Sequence, residues 1–114
     1  MDECIFCKII NGKVPSEKVF ESENFITIKD INQHPEGHSL VIPKKHFESF
    51  INLPENLYQE FVEATKKSIW KLEEEYDFEG FNLALNNGKV AGQIVPHMHL
   101  HILPRKRGDN FRFV

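Results

Sequence analysis

Three of the chain's six histidines lie within five residues, as His97, His99 and His101, with single apolar residues between them. Alternate side chains of a β-strand face the same side. A strand would therefore place the three imidazoles on one face and turn the apolar side chains toward a core (Met98, Leu100 and Ile102). On a helix, His99 would point away from the other two. Prolines bracket the segment at 96 and 104, which favours a strand.

Histidines on one face can hold a metal ion or supply a nucleophile. His97 and His101 would stand ~13 Å apart along a strand, which is too far to share one ion comfortably. A neutral imidazole can instead attack an electrophile and form a covalent intermediate. Phosphorus suits this role, because a phospho-imidazole is reactive enough for a second nucleophile to remove. We therefore expect the middle histidine, His99, to be the attacking group.

Cys4 and Cys7 are the chain's two cysteines and form a CxxC pair. In a reducing compartment this spacing indicates metal binding or redox activity more often than a structural disulfide. A closed zinc site needs four ligands, so the other two would come from the six histidines or from a carboxylate. A redox CxxC usually lies between a strand and a helix N-terminus, whereas Cys4 has only three residues before it. Zinc is favoured, with redox-active or free thiols as the alternative.

Length, composition and net charge limit the classes of protein to which this chain can belong. With 114 residues, 40% of them hydrophobic, residues 1–114 are expected to form one domain. The net charge of −3 argues against a partner that is nucleic acid, since phosphate backbones select for a basic surface. The chain has no apolar run of the ~20 residues that span a bilayer and no signal-peptide pattern. We expect a cytoplasmic protein without a membrane partner.

The pattern of apolar and turn residues predicts an α+β fold with an antiparallel sheet. Five strands are predicted, at 17–20, 24–29, 38–42, 80–86 and 95–103. A short helical turn is predicted at 4–11, and one long helix should begin at Pro54, which suits a first helical position. Its apolar stripe recurs at spacings of three and four and comprises Leu57, Phe61, Ala64, Ser68, Leu72 and Tyr76.

The segment His97-Met98-His99-Leu100-His101-Ile102-Leu103 resembles the signature of the histidine triad (HIT) superfamily. The resemblance extends along most of the chain, through blocks at residues 4–10, 30–46, 86–88 and 92–93. Together with the CxxC pair, it is closest to the zinc-containing branch with Hint-like nucleotide hydrolases. It implies a HIT-like fold, with a five-stranded antiparallel sheet, one long helix and a short N-terminal helix.

The resemblance also implies a nucleotidyl hydrolase or transferase that acts on the α-phosphate of nucleoside 5′-phosphoramidates or dinucleoside polyphosphates. His99 would take the nucleotidyl group, and His101 and His38 would hold the phosphate and assist the leaving group. Asp30 would bind the ribose hydroxyls. The base slot would comprise Ile5, Phe6, Ile9, Ile28 and Leu40, each of which could also be plain core. The phosphate or leaving group would meet Asn86, Gly92 and Gln93.

In family members with this CxxC, zinc is held by both cysteines and two histidines. Carried over, the ligands are Cys4, Cys7, His46 and His97, and the Zn²⁺ ion would be structural. Two departures stand out. Ile94 replaces a serine or threonine that touches the phosphate or leaving group in some branches. Gln33 replaces a frequent proline, so a slightly different loop is expected there.

Two other functions compete with the covalent hydrolase: a nucleotide-binding or scaffold protein with little turnover, and a hydrolase that uses a zinc-bound water. We also expect a symmetric homodimer. Ten phenylalanines and Trp70 exceed what one helix on one sheet readily hides. Val62, Ile69 and Trp70 lie off the main stripe of the long helix, and the strand at 80–86 lacks an obvious outer neighbour. The family resemblance also implies a homodimer, formed through the long helix and the neighbouring strand.

Overall fold

The fold is an antiparallel five-stranded sheet with one helix on each face, as a computed structural model describes it for residues 3–112. The strands lie in the order β1-β2-β3-β5-β4. Their bounds are β1 Lys18–Glu21, β2 Phe25–Lys29, β3 Ser39–Pro43, β4 Gly80–Leu85 and β5 Leu100–Arg105, and the helices are α1 Ile5–Ile10 and α2 Tyr58–Glu75. The predicted α+β class and sheet are confirmed. Across residues 3–112, no helix has the length and apolar character needed to cross a membrane.

The two faces of the sheet carry separate apolar cores. On β2, Phe25 packs on the α2 side, whereas Ile26 and Ile28 pack on the α1 side. Both faces of β2 and β3 are thus buried, and these strands form the buried centre of the sheet. The smaller core, under α1, is the one that adjoins the cavity described below.

Helix α2 buries Phe61, Ala64, Ser68 and Leu72 of the predicted stripe, whereas Leu57 and Tyr76 flank the helix and are partly buried. The helix differs from the prediction at two further points. It begins at Tyr58, because Pro54 precedes a short 3-10 turn, Glu55–Leu57, that leads into it. Ile69, which we expected on an outer flank, is 8% exposed and belongs to the core under α2. It lies four residues after the buried Thr65 and three before Leu72, positions that share one face of an α-helix. Val62 and Trp70 are exposed as expected.

The prediction that the histidine strand spans 95–103 is wrong at both ends. Residues 95–99 have no partner strand; the Met98 amide instead donates to the Phe47 carbonyl, at 2.7 Å. The side chains still alternate as predicted, since Met98 joins Leu100 and Ile102 in the core under α2. The sequence pattern thus predicts correctly which side chains face the core, although the chain joins the sheet only at Leu100.

At its other end, β5 continues through Pro104 to Arg105. Proline is tolerated in a sheet only where no ladder hydrogen bond is needed from its nitrogen. The pairing of β3 with β5 stops at Ile102, opposite Ser39. Beyond Ile102, β5 pairs only with β4, so one side of Pro104 is free of a neighbouring strand.

A buried pair of hydroxyl groups joins the sheet to α2. Thr27 Oγ1 and Ser68 Oγ are 2.7 Å apart, and Ser68 donates its single proton to the Ala64 carbonyl, at 2.6 Å. Thr27 must therefore donate to Ser68. Neither side chain has any exposed surface.

We expect Ser68→Ala to lower the free energy of unfolding by about 1–3 kcal/mol, because the buried Thr27 hydroxyl loses its acceptor. The double variant Thr27→Val/Ser68→Ala should recover part of this loss, since removing both polar partners avoids an unsatisfied group. Urea unfolding of the wild type, both single variants and the double variant gives the four free energies of this double-mutant cycle. Strictly additive losses would contradict the hydrogen bond between the two hydroxyl groups.

Candidate active site and metal cluster

A cavity of about 680 Å³ opens between α1 and the sheet, within the size range of small-molecule sites. Its apolar wall includes Phe6, Ile28 and Leu40, which are also core residues under α1. The predicted residues that line it are Ile5, Phe6, Ile9, Ile28, Asp30, Leu40, Asn86, Gly92, His99 and His101. The structure thus brings both catalytic candidates of the triad beside the predicted base slot.

The three triad histidines face α1 but divide into two environments. His99 and His101 line the cavity, and their ring centroids are 5.0 Å apart. His97 is fully buried and turns toward the cysteines. The ring of Phe6 meets His97 and His99 edge-on, at 5.7 and 5.0 Å, and so fills the space between the two environments.

The orientation of His99 leaves one ring nitrogen free. Its Nδ1 lies 2.7 Å from the carbonyl oxygen of His97. A carbonyl only accepts, so Nδ1 carries the proton and the lone pair of a neutral ring is on Nε2. Burial lowers the pKa of His99, because desolvation disfavours the imidazolium. At neutral pH, His99 is therefore a neutral imidazole with a free Nε2, the form that nucleophilic catalysis requires.

His101 and His38 form a hydrogen-bonded chain behind His99. His38 Nδ1 donates to the Asn32 carbonyl, at 3.0 Å, and its Nε2 accepts from His101 Nδ1, at 2.9 Å. Asp30 Oδ2 lies 4.0 Å from His38 Nε2. Burial, with the neighbouring imidazoles of His99 and His38, lowers the pKa of His101 to about 4. A phosphate anion bound beside His101 would oppose this shift, because an opposite charge favours the protonated ring.

The loop between β2 and β3 holds Asp30 and His38 in place through Gln33. The Gln33 side-chain amide donates to the carbonyl oxygens of Asp30 and His38, at 2.7 and 2.9 Å, and accepts from the Gly37 amide, at 2.8 Å. The single side chain of Gln33 therefore bonds three backbone groups of this loop, which backbone hydrogen bonds of a turn would otherwise satisfy. From the sequence, Gln33 was identified only as a departure from the family pattern. The one signal for its structural role is its position in a loop rich in turn residues.

A second loop borders the cavity after β4. Asn86 and Gly92 line the cavity as predicted, but the side chain of Gln93 does not. It bonds the Gly88 amide and the Glu48 carbonyl, at 2.7 and 2.6 Å, and so holds the loop closed. Ile94, which the sequence marked as a departure, lines the cavity and is almost fully exposed.

One buried cation on the cavity wall is already neutralised. Lys29 Nζ contacts the carboxylates of Glu17, at 2.6 Å, and Glu75, and lies 4.8 Å from the centre of the Tyr76 ring. Despite opposing burial, the carboxylates hold the pKa of Lys29 above its ordinary value. Lys29 is thus engaged in a structural ion cluster, although it adjoins the cavity.

Cys4, Cys7, His46 and His97 form a compact cluster, in which one ligand atom of each lies within 4.8 Å of all the others. The Cys4 and Cys7 sulfurs are 3.3 and 3.6 Å from His97 Nδ1, and Cys7 Sγ is 3.3 Å from His46 Nδ1. Around a tetrahedral zinc ion, with bond lengths of about 2.3 Å to sulfur and 2.0–2.1 Å to nitrogen, such pairs are about 3.5 Å apart. The donor set and its spacing fit zinc.

Two further observations support metal binding over thiol redox chemistry. His97 Nε2 donates to the Pro43 carbonyl, at 2.9 Å, which leaves the Nδ1 lone pair facing the sulfurs, as metal-bound histidines require. Burial raises the pKa of Cys7, and a hydrogen bond with Cys4 adds to the rise. A redox-active thiol has a lowered pKa, so the Cys7 thiol lacks that property.

The family model described as the HIT domain matches residues 11–108. The chain is 47% identical to a HIT-like protein of Methanocaldococcus jannaschii, over 93% of this chain and 81% of that protein. It is 39% identical to an adenosine 5′-monophosphoramidase of Candida albicans, over 90% and 70% of the two chains. It is 36% identical to an adenylylsulfatase of Arabidopsis thaliana, over 95% of this chain but 55% of that protein.

Solved structures agree with the sequence relatives. A HIT family protein from Bacillus anthracis superposes with a TM-score of 0.92 at 40% identity, over 99% of this chain and 81% of that one. A zinc-bound histidine triad protein from Mycobacterium smegmatis superposes with a TM-score of 0.88 at 36% identity, over 98% and 81% of the two chains. With its triad, its cavity and these matches, the chain belongs to the histidine triad (HIT) family.

Proposed function

We propose that this protein is a nucleotide hydrolase or transferase that acts at the α-phosphate of nucleoside 5′-phosphate derivatives through a covalent nucleotidyl-histidine intermediate. The observation that carries the proposal is the bond from His99 Nδ1 to the His97 carbonyl. It leaves Nε2 of a neutral ring directed away from its own backbone, in a residue that lines the cavity.

The reaction would proceed in two displacements. His99 Nε2 attacks phosphorus, a nitrogen–phosphorus bond forms, and the bond to the leaving group breaks. His101 is placed to give the leaving group a proton, and His38 and Asp30 would stabilise the charge on His101. A water or a second acceptor then gives a proton back to His101 and attacks phosphorus, the nitrogen–phosphorus bond breaks, and His99 regains its neutral form. The products are the leaving group and a nucleoside monophosphate or its transfer product.

The cavity supports a nucleotide as substrate. The base would lie between Ile5, Phe6, Ile9, Ile28 and Leu40, and Asp30 would receive the ribose hydroxyls. Asn86 and Gly92 would adjoin the phosphate, while Gln93 would act through the loop that it closes. Two relatives are named for reactions of adenylyl compounds, a phosphoramidate in one case and a sulfate in the other. Both names favour adenosine monophosphate joined to a small leaving group over a dinucleoside polyphosphate.

We expect His99→Ala to lose several orders of magnitude in turnover and to keep nucleotide binding, because the other contacts to the nucleotide remain. AMP release from adenosine 5′-phosphoramidate measures turnover, and calorimetry with AMP measures binding. His34→Ala, a change at an exposed histidine outside the cavity, is the matched control. More than about a tenth of wild-type activity in His99→Ala would contradict the assignment. Wild-type turnover no higher than that of His99→Ala would indicate a binding protein.

We further propose that Cys4, Cys7, His46 and His97 hold one structural Zn²⁺ ion. With four protein ligands the ion would have no open position for a water molecule, unlike the catalytic zinc of a hydrolase. Its role would be to hold α1, through its N-cap residue Cys4 and through Cys7, against the segment that carries His99. His97 supplies both the metal ligand and the carbonyl that orients His99.

We expect purified protein to contain one zinc ion per chain, and the content to fall on acidification, because the ligands bind only when deprotonated. Cys4→Ser should lower the metal content and the thermal midpoint more than it lowers the rate per folded molecule. His34→Gln should keep one ion. Metal analysis under reducing, chelator-free conditions that finds no zinc would overturn the site. Activity lost on chelation from a protein that stays folded would instead favour a catalytic metal.

The exposed apolar residues of β4 and α2 support a symmetric homodimer. β4 is an edge strand, and its Phe81 and Leu83 pair with residues of β5 on the sheet face that α2 covers elsewhere. Both side chains are nearly half exposed, and Trp70 of α2 is 59% exposed. A second copy packed on this surface would remove these side chains from water.

We expect a mass of about twice 13.3 kDa by light scattering at micromolar concentration, and Trp70→Glu to shift it toward a single chain, because a buried charge without a partner opposes association. Ile51→Glu places the same charge on another exposed apolar residue and should leave the mass unchanged. A wild-type mass near 13.3 kDa would refute the dimer.

A further inference from the structure

A second group of metal-binding side chains lies at the cavity, apart from the cysteine cluster. Asp30, His38 and His101 each offer one ligand atom within 4.8 Å of the other two. We propose that these three residues form a second divalent-metal site, which takes an ion such as Zn²⁺ and whose occupation excludes the nucleotide. The effect on nucleotide binding rests on the proposed function, whereas the metal site itself does not.

Two of the three donors are already oriented by the loop between β2 and β3. Asp30 Oδ1 accepts from the Asn32 amide, at 2.8 Å, and this leaves Oδ2 on the side of His38. His38 Nδ1 donates to the Asn32 carbonyl, which leaves the lone pair on Nε2. Hydrogen bonds of this kind fix the tautomer and direction of metal ligands. A single residue, Asn32, thus orients both donors through its backbone.

The third donor is Nδ1 of His101, 2.9 Å from His38 Nε2. Two nitrogen ligands of a tetrahedral zinc ion, with bonds of about 2.0–2.1 Å, are about 3.4 Å apart, so the two rings need to separate by only about 0.5 Å to bind one ion. His101 would carry its ring proton on Nε2 when Nδ1 binds the metal. Asp30 Oδ2, at 4.0 Å from His38 Nε2, would approach by rotation of a partly exposed side chain.

The donor set selects the class of ion. Two imidazoles and one carboxylate suit zinc and the later first-row metals, whereas Mg²⁺ and Ca²⁺ prefer oxygen ligands throughout. Asp30 and His101 both line the cavity, so the remaining coordination positions would face the space that the substrate needs. The ion would occupy the groups that receive the ribose and assist the leaving group. Metal and nucleotide should therefore compete, each weakening the other by the same factor.

The first test counts metal ions. Protein that already carries its cysteine-bound ion is titrated with Zn²⁺ by calorimetry and with Co²⁺ by absorbance. We expect a second equivalent, and with Co²⁺ no added sulfur-to-metal charge-transfer band, because this site has no thiolate. His38→Gln and His101→Gln should each weaken the second ion more than about tenfold. His34→Gln, which removes an exposed histidine outside the group, should not.

A second equivalent that binds equally well to both variants would overturn the site, as would failure of the wild type to take it. Each variant must keep the first ion and the wild-type circular dichroism. Asp30→Asn, nearly unchanged in shape, provides a third variant in case a histidine change disturbs folding, and it should weaken the second ion as well. These measurements do not depend on catalysis, so they stand even if the protein proves to have no turnover.

The second test adds AMP. Saturating AMP should raise the apparent dissociation constant of the second ion in proportion to the AMP concentration, and leave the first ion in place. If AMP binds and the second ion is retained with unchanged affinity, the exclusion is overturned. If AMP does not bind at all, the proposed nucleotide function fails, and the ion count with the three variants alone decides the metal site.

Discussion

The site depends on how one buried residue, His97, is held on three sides. Its Nε2 bonds the Pro43 carbonyl at the end of β3, its Nδ1 faces the sulfurs of Cys4 and Cys7, and its own carbonyl accepts from His99. This segment lies outside the sheet, so strand pairing cannot fix it. The contacts of His97 replace the missing strand pairing, and they couple the cysteine cluster to the orientation of His99.

This arrangement explains why adjacent histidines of one motif differ in chemistry. Each of His97 and His99 has one nitrogen bonded to a carbonyl, which sets its tautomer. In His97 the free nitrogen is Nδ1 and meets soft sulfur donors; in His99 it is Nε2 and reaches the cavity. Burial lowers the pKa of both rings, that of His97 to about 4. Both therefore offer lone pairs at neutral pH, one toward the cysteine sulfurs and one toward the cavity.

Most of the fold was predictable from the sequence because its signals are local. Periodicity located α2 and its buried stripe, and alternation placed Met98, Leu100 and Ile102 in one core. The family motifs identified the cavity residues and the four side chains of the cysteine cluster. Strand bounds were less accessible, since Phe47 replaces a neighbouring strand as the partner of Met98. This contact joins residues some fifty positions apart in the sequence, and periodicity carries no information about contacts of that range.

The roles of Gln33 and Gln93 were hidden for a related reason. Both side chains mimic the backbone, each accepting from one amide and donating to two carbonyl oxygens. A glutamine in a polar loop has no sequence feature that separates such a role from a solvated one. Family resemblance assigned Gln93 to the substrate, whereas its bonds hold the loop that presents Asn86 and Gly92. In this protein, the shape of the cavity is thus maintained by side chains that are not part of its reactive groups.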